Sequence, residues 1–122
     1  MLKVAVLDDY QNVFNQIINT NDYKDKFEFT VFNEPFTSIE ETKLSLEDFD
    51  ALFIMRERTP IVKELIDGLP NLKYIMTSGM RNNAIDIEYA KRKKIVVCGT
   101  EINTNPASEL TWALILGLLR NM

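Results

Sequence analysis

The stretch Leu72-Lys73-Tyr74-Ile75-Met76-Thr77-Ser78-Gly79-Met80-Arg81-Asn82-Asn83 sets an apolar run against a polar turn, just before a helically patterned segment that begins near Ala84. A glycine flanked by hydroxyls, an arginine and two amides, at the C-terminal end of a buried strand, is where an open α/β sheet binds an anion. Strand-like runs recur at Lys3 to Leu7, Phe27 to Phe32, Ala51 to Met55, Leu72 to Met76 and Ile95 to Cys98. Val4-Ala5-Val6-Leu7 and Ala51-Leu52-Phe53-Ile54-Met55 are apolar throughout instead of alternating, so both faces should be covered and the pairing parallel. The expected fold is α/β, a parallel five-stranded sheet with flanking helices.

Helical spacing is read over Gln11 to Asn19, Thr42 to Glu47, Ile61 to Asp67 and Ala84 to Lys93. Asp86 and Glu88 open the last of these and Lys91 to Lys94 close it, which complements the helix dipole and makes that basic run a solvated helix end. A further helix, with Asn105 as cap and Pro106 at its first position, runs to the end of the chain and is apolar on nearly every side. A small sheet covers only one side of such a helix, so a protruding C-terminal apolar helix is expected, and something outside the chain should cover the rest.

The chain has 122 residues, 46% hydrophobic and 26% charged, as in one soluble packed domain or one piece of a larger protein. Its 14 basic against 18 acidic residues lend no support to a nucleic-acid partner. No run approaches the ~20 apolar residues of a membrane span, and the N-terminus Met1 to Asp9 has no leader pattern, so a cytoplasmic protein is expected. The single cysteine, Cys98, lies in an apolar run and reads as a buried thiol. With no histidine, the commonest general base and metal ligand is missing, and no metal site is expected.

Asp8-Asp9 ending the first strand, with Thr77 or Ser78 after the fourth, resembles the phosphate-accepting receiver module of bacterial signalling. That module needs an aspartate after the third strand and a lysine after the fifth, where this chain has Met55-Arg56-Glu57 and Cys98-Gly99-Thr100. Asp8 and Asp9 are therefore read as a loop-facing pair that caps the next helix. Arg56 and Arg58 follow the third strand at the same sheet edge as Gly79 and Arg81, and an arginine fork suits a carboxylate or phosphate. The plainer fate is a surface ion pair between Glu57 and one of the two.

The stretches Met55-Arg56-Glu57-Arg58-Thr59-Pro60-Ile61, Leu69-Pro70-Asn71-Leu72-Lys73-Tyr74-Ile75, Thr77-Ser78-Gly79-Met80-Arg81-Asn82, Ile85-Asp86 and Asn103-Thr104-Asn105-Pro106-Ala107-Ser108-Glu109-Leu110-Thr111 keep one order and spacing over essentially the whole chain. In this they resemble the N-terminal part of the D-isomer-specific 2-hydroxyacid dehydrogenases, a group that includes phosphoglycerate, glycerate and formate dehydrogenases. The resemblance implies a flavodoxin-like substrate-binding domain over residues 1–104, with residues 105–122 the first helix of a dinucleotide-binding domain. It implies that the amides of Met80 and Arg81 hold the substrate carboxylate, that Arg56 assists, and that Asn103 approaches the substrate; Arg58, Ser78 and Gly79 complete the candidate set. Met80 is also the candidate for a cofactor contact.

Arg81 stands where the family often has a second glycine, so its side chain must point elsewhere or join the site. The resemblance places the Gly-rich fingerprint, the catalytic arginine, the acid and the histidine beyond the point that matches Met122, and it leaves one sheet face to a returning C-terminal segment. The chain contains no Gly-x-Gly-x-x-Gly. The function implied is that of the substrate-binding part of an NAD- or NADP-dependent enzyme acting on a small 2-hydroxy or 2-oxo acid. Alone it is expected to be inactive and to bind no cofactor, and to pair as a homodimer through Ala107 to Asn121. The alternatives are a non-catalytic small-anion binding module and the receiver-like module.

Overall fold

The computed structural model describes residues 1–79, 81–103 and 105–121. Strands β1 (Leu2–Val6), β2 (Phe27–Val31), β3 (Ala51–Ile54), β4 (Tyr74–Thr77) and β5 (Val96–Gly99) form one five-stranded parallel sheet in the order β2-β1-β3-β4-β5. This is the flavodoxin-like order, in which ligands bind beyond the C-terminal strand ends. Helices α1 (Phe14–Ile17), α2 (Ile39–Leu46), α3 (Lys63–Asp67) and α4 (Ile87–Arg92) connect the strands, and α5 (Asn105–Leu119) follows β5.

The uninterrupted apolar runs account for the buried centre of the sheet. Val4 to Leu7, Ala51, Leu52 and Ile54 are all buried. On one face Ala5, Leu7, Leu52, Ile54 and Ile75 pack with Leu46 of α2, Leu65 and Ile66 of α3 and Ala90 of α4. Each large aliphatic side chain buried here contributes about 2 kcal/mol, and truncating Leu52 to alanine would cost about 3 kcal/mol.

The opposite face is less covered. Phe14 of the short helix α1 meets Phe29 with ring centroids 5.4 Å apart. Beside them an apolar hollow of about 460 Å³ runs over Val4, Phe53, Met55 and Met76.

Several element boundaries differ from the sequence reading, for local reasons. Asp9 accepts the N–H groups of Val13 (3.1 Å) and Phe14 (2.9 Å), so α1 starts late; it also ends short of Asn19, at Ile17, and a separate 3-10 turn follows over Thr20–Tyr23. Helix α2 starts earlier than Thr42: the Ser38 hydroxyl accepts from the Glu41 N–H at 3.1 Å, while the Glu41 carboxylate accepts from the Thr37 N–H at 2.7 Å. That reciprocal arrangement is a capping box shifted by one residue. Ile61 and Ala84, expected to open helices, do not: Ile61 forms an isolated parallel bridge with Ile85, and Ala84 lies in the turn just before it. Helices α3 and α4 begin only after it.

Cys98 is exposed, not buried. It pairs in register with Met76 on the edge strand β5, and therefore shares the less covered face. Helix α5 has no buried residue among those described, and Trp112 and Leu118 are 63% and 79% exposed. No helix among the described residues is long and apolar enough to cross a membrane.

Candidate functional site

Three successive strand ends, β3, β4 and β5, feed one corner of the molecule. β3 and β4 stay in register to Ile54 and Thr77, and the Ser78 N–H then adds one more rung by donating to the Ile54 carbonyl at 3.0 Å. Beyond it the chain turns sharply twice. Arg56 has φ +50°, and Gly79 has φ +98°. A side chain is disfavoured at Gly79 on conformational grounds, and an added Cβ would also sit 3.4 Å from the Ile102 Cγ2.

The two loops are bound to each other by polar groups. The Arg56 N–H donates to the Ser78 hydroxyl at 3.0 Å, and the Arg56 carbonyl accepts from the Asn82 amide. The same Asn82 nitrogen donates to the Thr77 hydroxyl at 3.0 Å, and its carbonyl oxygen accepts from the Ala84 N–H at 2.9 Å. Glu57 accepts from the Asn83 N–H at 3.1 Å, so the expected ion pair with a neighbouring arginine is replaced by a backbone contact. From the third loop, Thr100 accepts the Gly79 N–H at 2.9 Å.

Between these loops lies a cavity of about 540 Å³ lined by Arg56, Glu57, Ser78, Gly79, Arg81 and Ile102. Two arginines and one glutamate are among these lining residues, so the lining carries an excess positive charge, suited to a small anion. Of the candidates read from the sequence, Arg56, Ser78, Gly79 and Arg81 come together here. Asn103 is exposed, outside this lining, and accepts the Asn105 N–H at 3.0 Å. Met80 lies outside the described residues.

Arg58 turns to the far side of its loop. Its guanidinium donates to the Asp8 carbonyl at 2.7 Å and lies 4.6 Å above the centre of the Tyr10 ring. It borders a further, smaller hollow of about 220 Å³ with Thr59, Pro60 and Phe36. Asp8 is buried and accepts from the hydroxyls of Thr59 and Tyr10. Burial and the Asp8 contact hold the Tyr10 phenol above its ordinary value, against the pull of Arg58. With Asp9 capping α1, both acids of the pair have protein partners. The structure thus gives no support to the receiver-like reading.

Asn82 stands outside the candidate set read from the sequence. Its sequence signal is only that of one of two adjacent amides after a glycine, and its role depends on the left-handed turn at Arg56 across the loop.

Residues 4–114 match the family described as D-isomer specific 2-hydroxyacid dehydrogenase, catalytic domain. A Staphylococcus epidermidis protein to which 2-hydroxyacid dehydrogenase activity has been ascribed is 35% identical over 107 residues, 86% of this chain and 33% of that protein. A phosphoglycerate oxidoreductase from Vibrio cholerae superposes with a TM-score of 0.81 at 38% identity, over 96% of this chain and 37% of that one. A Ralstonia solanacearum oxidoreductase, to which D-3-phosphoglycerate dehydrogenase activity has been ascribed, gives 0.82 at 32% identity over 100% of this chain and 36% of that one. More distant chains of the same fold were solved with NAD or NADPH. The chain spans about a third of the length of these relatives.

Proposed function

The chain belongs to the D-isomer-specific 2-hydroxyacid dehydrogenases, and from that membership we propose that it is the substrate-binding part of an NAD- or NADP-dependent enzyme that interconverts a 2-hydroxy acid and its 2-oxo acid. One observation carries the reading: Arg56 and Arg81 line the same 540 Å³ cavity as the Gly79 turn, at the C-terminal ends of the strands.

In this proposal the substrate carboxylate sits over the turn, held by backbone amides at Met80 and Arg81 and by the Arg56 fork. Ser78 and Gly79 shape the floor, Asn103 closes on the substrate from the segment after β5, and Arg58 supports the loop from its outer side. An arginine is suited to the task because its two parallel N–H groups match the two oxygens of a carboxylate.

The described residues do not fit a dinucleotide. The four glycines, Gly68, Gly79, Gly99 and Gly117, are scattered through the chain, and none opens a phosphate-cradling turn into a helix. We assign the cofactor to a dinucleotide-binding part that begins with residues 105–122, and give this chain alone no turnover. We further propose that the apolar helix α5 pairs two copies, since its side chains are exposed all round.

Titration with oxalate, a two-carbon carboxylate, followed by NMR shifts of the Ser78, Gly79 and Arg81 amides, tests the site. Saturable millimolar binding that weakens about tenfold in Arg56→Ala is expected, the loss of one charge-assisted contact. Absence of any shift up to tens of millimolar, an order-of-magnitude ceiling for a meaningful site, would sink the reading.

A further inference from the structure

Arg56 is the non-glycine residue at the centre of the site whose backbone sits in the left-handed region, at φ +50°. Arginine has no intrinsic reason to remain there, because its Cβ crowds the following carbonyl. Strain of this kind persists only where the surroundings over-determine the conformation. Here both peptide groups that flank its Cα are held from the opposite loop: the N–H by the Ser78 hydroxyl at 3.0 Å and the carbonyl by the Asn82 amide.

Asn82 is suited to holding without turning. It is 4% exposed, and its three described contacts fix which way the amide faces. The nitrogen must face the Arg56 carbonyl and the Thr77 hydroxyl, and the oxygen must face the Ala84 N–H. Rotating the amide by half a turn would set oxygen against oxygen at Arg56 and nitrogen against N–H at Ala84. The left-handed turn at Arg56 is thus imposed by a side chain from the glycine loop, and the direction of the guanidinium depends on it.

We propose that Asn82 is a positioning residue for the carboxylate-binding arginine: it fixes the backbone of Arg56 from the Gly79 loop, so that guanidinium and loop amides meet the substrate as one preformed unit. The proposal rests on the substrate-binding reading above. Asn82 itself touches no substrate, and its effect on binding passes entirely through Arg56. Pre-forming the pair removes the cost of ordering a long side chain and its loop at each binding event.

A double-mutant cycle separates this role from a merely structural one. With oxalate as probe, Asn82→Leu keeps the approximate size of the side chain, adds no charge and removes the donor to the Arg56 carbonyl, and should weaken binding about tenfold, as the loss of one buried hydrogen bond does. Arg56→Ala should weaken it to a similar degree. The double variant Arg56→Ala with Asn82→Leu should bind no more weakly than Arg56→Ala alone, because no guanidinium remains to be aimed. Losses that multiply would overturn the proposal.

Hydrogen exchange at the Arg56 amide supplies a reading that needs no ligand. It should be slow in the unaltered chain and fast in Asn82→Leu, and an unchanged rate refutes the clamp whatever oxalate does. If the unaltered chain binds no oxalate while the clamp is intact, the substrate-binding reading falls and takes the functional half of the proposal with it. Should Asn82→Leu fail to fold, Asn82→Ser, whose side chain is too short to reach the Arg56 carbonyl, enters the same cycle with the same expected non-additivity.

Discussion

The backbone N–H of Gly79 donates to the side-chain hydroxyl of Thr100 at 2.9 Å, which ties the glycine turn to the segment leaving β5. The amide at the tip of the turn is therefore already committed inside the protein. A bound carboxylate must draw on the amides that follow it and on Arg56. Thr100→Val keeps the shape and removes the acceptor. We expect a loss of about 1 kcal/mol in urea unfolding, the usual net worth of such a bond, together with weaker oxalate binding. Unfolding and binding curves that both overlay the unaltered chain would refute this role for Thr100.

Gly79 faces a conformational obstacle more than a steric one. The nearest atom to an added Cβ is at ordinary contact distance, whereas φ +98° is rarely open to any side chain. Gly79→Ala should cost about 1–3 kcal/mol and distort the turn, so that stability and oxalate affinity fall together. Equal urea midpoints for the two proteins would remove this account.

At the opposite end of the sheet, Asp50 staples three strands. Its carboxylate accepts from the Lys3 N–H at 3.0 Å and from the Lys73 ammonium at 2.9 Å. The Lys3 backbone contact first, and the Lys73 side chain second, hold its carboxyl below the ordinary carboxylate range. A depressed folded value means stabilisation that is fully present above the unfolded value of about 4 and is lost as pH falls through the folded one. The melting temperature should drop on acidification below pH about 4, and Asp50→Asn should drop less over the same interval. Glu41, held low by Thr37, and Asp67, held low by Tyr89, keep some pH dependence in the variant. Identical slopes for the two proteins would show that the staple carries no proton linkage.

Helix α5 offers the most direct test of assembly. Leu114 and Leu118 are exposed on it. Sedimentation at tens of micromolar, an order-of-magnitude threshold for modest interfaces, should show a dimer, and replacing both leucines by glutamate should give a monomer. A monomer before substitution would refute pairing through this helix.

The sheet was legible because β1 and β3 are apolar without interruption, a pattern that only two covered faces explain. The gathering of Arg56, Ser78, Gly79 and Arg81 was legible too, since parallel strands deliver their following loops to one edge. The start of α1 was not, because it is set by the Asp9 side chain and not by apolar spacing. Ile61 and Ile85 carry helix-compatible patterns but pair with each other, a tertiary contact that no local window contains. Cys98 looked buried among apolar neighbours, and its exposure follows from edge position and from the thin cover on that face. Asn82 was hidden for the same reason as the bridge: its partner lies 26 residues away in an unusual backbone conformation.

The bridge between Ile61 and Ile85 also constrains how these loops can change. Both loops leave the paired register at Ile54 and Thr77, and both return to pairing at Ile61 and Ile85. Each is therefore measured between two fixed rungs, unlike an ordinary surface loop that absorbs an extra residue at its tip. One inserted residue would shift either the far rung or the Arg56 turn. A new substrate preference at this corner is thus reached with least disturbance by exchanging side chains at constant length.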